Sequence, residues 1–203
     1  KNNLFDSICH EHLEYYSSKI ILDIMKKNKL KVFDIQRNNV NGGSTRYYIS
    51  HEDSKFRTNV KSLKKLINEE KKYKLDTVKT FKTFEKNLIK KKNIMMNFIS
   101  NKIKQKKVIH GYGASTKGNV LLQYFNITNK HIDLIADRNP QKFNKYTPGT
   151  KIKITSENYS RKVKPDYYLV LPWHFRDEII KREKKTRMQG TKLIFPLPNM
   201  RII

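Results

Sequence analysis

The sequence predicts an α/β protein whose last hundred residues form a Rossmann-like parallel sheet. Three observations predict it. From residue 105 onward, apolar runs of strand length alternate with runs of helical period. The stretch HGYGASTKGN, residues 110–119, joins the first of those strands to the first of those helices through glycines. An acid, Asp137, ends the next strand 24 residues after Gly113, where a doubly wound sheet places a ribose-binding carboxylate.

Taken in order, SSKIILDIMKKNK (17–29) sets Ile20, Ile21, Ile24 and Met25 at helical spacing after a serine cap. LKVFDIQRN alternates, with Val32 and Asp34 on one side and Phe33 and Ile35 on the other, and STRYYIS reads as a second strand across the break at Asn41-Gly42-Gly43. From 53 to 104 the period is helical: Leu63, Leu66 and Ile67 mark one helix, and Val78, Phe81, Phe84, Leu88, Met95, Phe98, Ile99 and Ile103 mark a longer one. Its lysines read as the solvated face of a connector, with a coiled-coil or nucleic-acid role as the alternative. Beyond it, KKVIHGYG is a strand and turn, STKGNVLLQYF a helix, HIDLIAD and DYYLVLPW strands, FRDEIIKREKKTRMQG one helix with a glycine stop, and TKLIFPL a strand. Three segments follow: 1–52, 53–104 and 105–203.

Composition bounds what these segments do. With 37% hydrophobic and 11% aromatic residues among 203, the chain can bury a core and is not compositionally disordered. The net charge is +26, from 44 basic and 18 acidic residues, which taken alone suggests nucleic acid. Only nine of the basic residues are Arg, and the Lys is spread through every segment beside abundant Asn, Ile and Tyr. That distribution is a usage bias more than a patch, and it favours an anionic small molecule. A single cysteine, Cys9, excludes an internal disulfide and cannot alone build a zinc site, so a reducing, cytoplasmic setting is expected. There is no apolar run of about 18 residues and no signal-peptide pattern at the start, so no membrane association is expected.

Four groups of residues carry candidate chemistry. Gly111 and Gly113 match the first two positions of G-x-G-x-x-G, but Thr116 stands where the third is needed and the next glycine is Gly118. Backbone N–H groups at the following helix start, with Ser115, Thr116, Lys117 and Asn119, suit a phosphate. The alternative is that the glycines serve only tight strand–helix packing. His10-Glu11-His12 places two imidazoles around a carboxylate. If the segment is extended both point the same way. Their spacing is not that of a helical H-E-x-x-H zinc site, and no third ligand is evident. A histidine beside a carboxylate suits general-base work, against the alternative of incidental histidines. Gly42, Gly43, Ser44 and Arg46 form either a plain hairpin turn or a place of close ligand approach. Trp173, with Tyr15-Tyr16, Tyr47-Tyr48 and Tyr167-Tyr168, can stack a base or a sugar, or be core; His110 is equally ambiguous.

In order, FDSICHEHLEYYS, NGGSTRYYIS, HGYGASTKGNVLLQYFNI, DLIADRNPQKFNKYTPGT, LPWHFRDEI and FPLPNMRII resemble the carboxy-terminal half of the sugar C-methyltransferases. These are S-adenosylmethionine-dependent enzymes acting on nucleotide-linked keto-sugars. The resemblance runs from residue 4 to 203. It implies that 1–52 is the closing helix and β-hairpin of a class I methyltransferase domain, that 53–104 is a helical connector, and that 105–203 is the family's Rossmann-like carboxy-terminal domain. It implies that the zinc-binding module and the loop that binds the methyl donor lie in an amino-terminal half outside this sequence, so that these residues are a fragment or are completed by a separate chain, and are inactive alone.

The resemblance also implies roles. A base removes the proton next to the sugar ketone, and the enolate carbon attacks the donor's methyl group. His12 matches the last residue of the family's Tyr-His-Glu-His segment and is the implied base, with His10 and Glu11 positioning it or the substrate oxygen. The family's Tyr is Cys9 here, a shorter side chain and a poorer donor, which changes substrate contact at that point. Gly42, Gly43, Ser44 and Arg46 would approach the substrate, and the 111–119 loop would face the nucleotide-sugar diphosphate, with Asp137 and Trp173 nearby. Two other classes compete. One is a non-catalytic Rossmann-like module for nucleotide or nucleic acid. The other is a nicotinamide-dependent oxidoreductase, whose fingerprint Thr116 interrupts.

Overall fold

A computed structural model of the chain describes residues 4–203, without the side chain of Asn41. It falls into two compact units, one formed by Leu13–Glu85 and the other by residues 4–12 together with Lys86–Ile203.

The Leu13–Glu85 unit is a hairpin with helices before and after it. Ser17 caps α1 (Ser18–Lys27), accepting from the Ile20 N–H. β1 (Leu30–Asn38) and β2 (Ser44–His51) pair antiparallel. The alternation expected across Val32–Ile35 is interrupted by a bulge: Val32 faces Ile49 and Asp34 faces Tyr48, leaving Phe33 outside the ladder. The released Phe33 carbonyl accepts from the Asn59 N–H at 2.7 Å. Asn59 in turn caps α2 (Val60–Lys72), its Oδ1 accepting from Ser62 N at 3.2 Å. Near the end of α2, the Glu70 carboxylate accepts from the Ser18 N–H at 2.9 Å, placing negative charge at the start of α1 where the helix dipole favours it.

The long helix α3 (Val78–Lys104) leads on from this unit. Its buried residues are Leu88, Met95 and Ile99, while Val78 and Phe81 are exposed, so the apolar period is used only along the later turns.

The larger unit is a six-stranded sheet in the order β5-β4-β3-β6-β7-β8. β3 (Ile109–Tyr112), β4 (Leu134–Asp137), β5 (Lys153–Ser156), β6 (Tyr167–Val170) and β7 (Lys192–Phe195) run parallel, and the two-residue β8 (Arg201–Ile202) closes the edge antiparallel. Every residue of β3 and β6 is buried, the mark of a central parallel strand covered on both faces. α4 (Thr116–Phe125) follows β3, α5 (Glu157–Val163) follows β5, and α6 (Arg176–Arg182) with α7 (Lys184–Met188) follows β6. The strand order reverses between β3 and β6, so a switch point opens at their carboxyl ends. The expected α/β, Rossmann-like parallel sheet is present.

Two details depart from expectation. The sequence pattern does not mark β5, α5 or β8; KITS in particular is short and gains its strand character by pairing with β4. The single helix expected over FRDEIIKREKKTRMQG is two helices broken at Glu183, whose carboxylate is drawn inward and fully buried. Its Oε1 accepts from Tyr112 at 2.7 Å, and its Oε2 from Thr186 at 2.7 Å and from Arg161 Nε at 3.1 Å. Arg161 also bonds Glu157 at 2.6 Å. Burial raises the Glu183 pKa, but Arg161 and the two hydroxyls outweigh it and hold the carboxyl below its ordinary value.

Candidate functional site

The β3–α4 turn is built by close contacts. A Cβ on Gly111 would lie 2.6 Å from Ile135 Cγ1 on β4. Gly113 has φ +81° and would place a Cβ 2.7 Å from the ring of Pro172, across the switch point. Gly118 would meet Leu171 Cβ at 2.8 Å. In a dinucleotide fingerprint the third glycine allows the helix to pack closely on the sheet. Gly118 does that here two positions later, so Thr116 is free of the constraint and stands exposed.

Around this turn the backbone is held by side chains. Ser115 caps α4, its Oγ accepting from Gly118 N at 3.0 Å. Asp137, 8% exposed, accepts from Ala114 N at 2.7 Å through Oδ2 and from Asn139 N at 2.8 Å through Oδ1. Lys142 Nζ donates to Ala114 O at 2.6 Å and lies 3.5 Å from Asp137 Oδ2. The acid at the ribose position thus fastens the glycine turn.

Two open clefts meet at Ala114, Ser115 and Lys142. One, of about 440 Å³, is bordered by Thr116, Asn119, Thr147 and Pro148. Asn119 Oδ1 is buried there without a hydrogen-bond partner. The other, of about 460 Å³, occupies the switch point between Gly113 and Pro172, with Arg138, Phe175 and Arg182 on its walls beside Glu157 and Glu178. Where the clefts join stand the first turn of α4 and Lys142, with Arg138 on the wall of the second cleft.

His110 lies under this floor, 1% exposed. Its Nδ1 is 2.8 Å from Ser160 Oγ, which is 2.9 Å from the Tyr168 hydroxyl. Burial pushes the imidazole pKa down to about 4, so His110 is a neutral core group. Tyr167 and Tyr168 are buried as well.

Residues 4–12 carry the His-Glu-His group and pack on the same unit. Phe5, 2% exposed, lies 4.8 Å from the Tyr124 ring and 5.4 Å from Phe125, both on α4. Asp6, also 2% exposed, accepts from Trp173 Nε1 at 2.7 Å. Trp173 is itself 8% exposed, so its ring is core packing as well as a hydrogen-bond donor. The segment then coils instead of extending. Ile8 N donates to Phe5 O at 2.9 Å, Cys9 N to Ser7 O at 3.1 Å and His12 N to Cys9 O at 3.0 Å. His10 and His12 therefore do not line one face of a strand. His10 Nε2 sits 3.9 Å from Glu11 Oε1 with both side chains largely in solvent, a separation and exposure at which attraction is small. His12 Nδ1 lies 2.7 Å from the carbonyl oxygen of Ser7. A carbonyl only accepts, so Nδ1 carries the proton and Nε2 is the basic nitrogen of the neutral ring. Cys9 is a half-buried free thiol.

Gly42, Gly43, Ser44 and Arg46 belong to the Leu13–Glu85 unit, at its hairpin tip. Gly42 and Gly43 have φ +90° and +131°, and nothing lies within 4 Å of a Cβ placed on Gly43. Arg46 bonds Gln36 Oε1 at 3.3 Å across the ladder, and Tyr48 bonds the same oxygen at 3.0 Å. Tyr15 and Tyr16 are about half exposed.

Among the described residues no three His, Cys, Asp or Glu side chains converge as a metal site, and no helix is long and apolar enough to cross a membrane. Phe5, Asp6, Lys142 and Thr147 are absent from the sequence-derived site. Phe5, Asp6 and Lys142 meet partners far along the chain in Tyr124, Trp173 and Ala114, whereas Thr147 bonds its near neighbours Thr150 and Ile152; no local pattern marks any of the four.

The sequence matches the family described as C-methyltransferase C-terminal domain over residues 39–198. It is also 29% identical, over all 203 residues, to the C-methyltransferase NovU of Streptomyces niveus. The chain spans 48% of that relative, about half its length.

Proposed function

The chain belongs to the C-methyltransferase C-terminal-domain family, and from that premise we propose that it is the carboxy-terminal part of an S-adenosylmethionine-dependent enzyme that methylates carbon on a nucleotide-linked keto-sugar. Residues 1–52 then close the methyltransferase domain, 53–104 connect, and 105–203 help hold the nucleotide-sugar. The working compartment is the reducing cytoplasm, consistent with the single free thiol.

The observation that carries this reading is the His12 hydrogen bond to Ser7 O. It leaves Nε2 as the base in the neutral ring, the form needed to take a proton from the carbon beside a ketone. The C–H electron pair becomes the enolate and the proton goes to Nε2. Glu11 and His10, the two residues before His12, position that ring or the substrate oxygen.

S-adenosylmethionine supplies an electrophilic methyl group when bound. In this chain Ile135, Pro172 and Leu171 pack directly against Gly111, Gly113 and Gly118. The resemblance assigns the donor to the amino-terminal half. The clefts beside the same turn suit the other substrate: Ser115 and Thr116 of the first turn of α4 border them and face a diphosphate, Lys142 adds charge there and Lys117 adds charge on the same helix start, and Asn119 offers an acceptor to a hydroxyl. Gly42, Gly43, Ser44 and Arg46 form a second substrate-facing surface.

The test is solvent-deuterium exchange at the carbon next to the ketone in the full-length enzyme. His12→Ala should abolish exchange while donor affinity, measured by calorimetry, stays unchanged. Exchange at the wild-type rate in that variant removes His12 as the base.

A further inference from the structure

A buried hydrogen bond and a buried ring tie residues 4–12 to the rest of the Rossmann-like unit. Asp6 is 2% exposed and Trp173 8%, with the indole N–H 2.7 Å from the carboxylate. Trp173 directly follows Pro172, the residue packed against Gly113, and so stands at the carboxyl end of β6. Phe5 fills the space beside Tyr124 and Phe125 on α4. From these two anchors the chain reaches His12 through short-range bonds, Ile8 to Phe5, Cys9 to Ser7 and His12 to Cys9. The His12 ring closes the coil on Ser7 O, one residue past Asp6.

We propose that Asp6 and Trp173 are a positioning pair through which the Rossmann-like unit holds the Ser7 carbonyl against His12 and so fixes both the place and the tautomer of that ring. The proposal rests on the reading of His12 as base. A free imidazole in water populates mainly the Nε2–H form, in which Nε2 cannot accept a proton. Ordering Ser7 O against Nδ1 reverses that preference. A buried carboxylate needs a donor, and the Trp173 N–H supplies one; losing it leaves Asp6 to seek solvent and pulls the coil away from its seat. The Rossmann-like unit thereby contributes to proton abstraction without touching the reacting atoms.

Trp173→Phe keeps a ring and removes the donor. In this chain, labelled with 15N-histidine, the His12 nitrogen shifts should move from the Nδ1–H pattern toward the Nε2–H pattern. In the full-length enzyme, exchange at the sugar carbon should fall on the order of tenfold or more through kcat, because misplacement of a catalytic group costs rate, with donor affinity unchanged. Asp6→Ala should reproduce both effects and provides the measurement if Trp173→Phe does not fold. Asp6→Asn keeps an acceptor for the indole and should restore the wild-type tautomer and rate to within about threefold. Unchanged His12 shifts in a folded Trp173→Phe or Asp6→Ala chain overturn the proposal. Failure of the base assignment shows itself separately, as exchange that survives His12→Ala while the tautomer still responds to Trp173→Phe.

Discussion

Two glycine turns in this protein look alike in sequence and are opposites in structure. At the β3–α4 turn, Gly111, Gly113 and Gly118 each face a side chain closer than 3 Å from where a Cβ would be. At the hairpin tip, Gly43 faces nothing within 4 Å. The first set is required by packing between strand, turn and helix. The second is required by backbone conformation alone, and the space in front of it is open. The turn that resembled a dinucleotide fingerprint is filled by its own protein, and the open clefts lie beside it, over Ser115 and Lys142.

The contrast is tested most strongly at Gly113. Gly113→Ala meets both a positive φ and the Pro172 ring, so it should destabilise the Rossmann-like unit by about 3 kcal/mol. The fluorescence of the one tryptophan, Trp173, reports urea unfolding of that unit alone. A loss under about 1 kcal/mol would show that the turn yields and that the crowding is not restrictive.

The packed floor beneath the turn makes a second prediction. His110 titrates at about 4 when folded, against about 6.5 unfolded. The unfolded chain therefore binds more protons between these values, and stability present above pH 6.5 is lost as pH falls toward 4. Between pH 7.5 and 5 the loss should be on the order of 2 kcal/mol, and His110→Gln should flatten that slope. An unaltered slope in the variant would assign the dependence to another group.

The smallest effect is expected at the open turn. Gly43→Ala adds strain but no clash and should cost on the order of 1 kcal/mol, seen as faster amide exchange along β2 with Trp173 fluorescence unchanged. Under the proposed function it should also raise the KM of the full-length enzyme for a nucleotide-linked keto-sugar. A cost equal to that of Gly113→Ala would erase the distinction between the turns.

Much of this was legible in the sequence because its signals are local. Alternation and helical period located α1, β1, β2, α2, α3 and the central strands, and Ser17 announced the helix start it caps, whereas the capping role of Ser115 emerged only from the structure. Gly118 was visible as a displaced glycine, but its purpose depends on Leu171, 53 residues later. The break at Glu183 was hidden inside a continuous helical period and is imposed by Arg161 and Tyr112. The coil at Cys9–His12 ran against the extended reading because its bonds link backbone groups that no residue pattern encodes.

By itself the sequence determined the α/β class, the parallel sheet and the motifs of a C-methyltransferase carboxy-terminal domain, since apolar period and turn residues act over a few positions. Only the tertiary structure decided which nitrogen of His12 is basic, that Asp137 fastens a turn, and that Trp173 holds Asp6. Those depend on groups brought together across as many as 167 residues, where burial makes each polar atom find a partner and the fold alone selects which one.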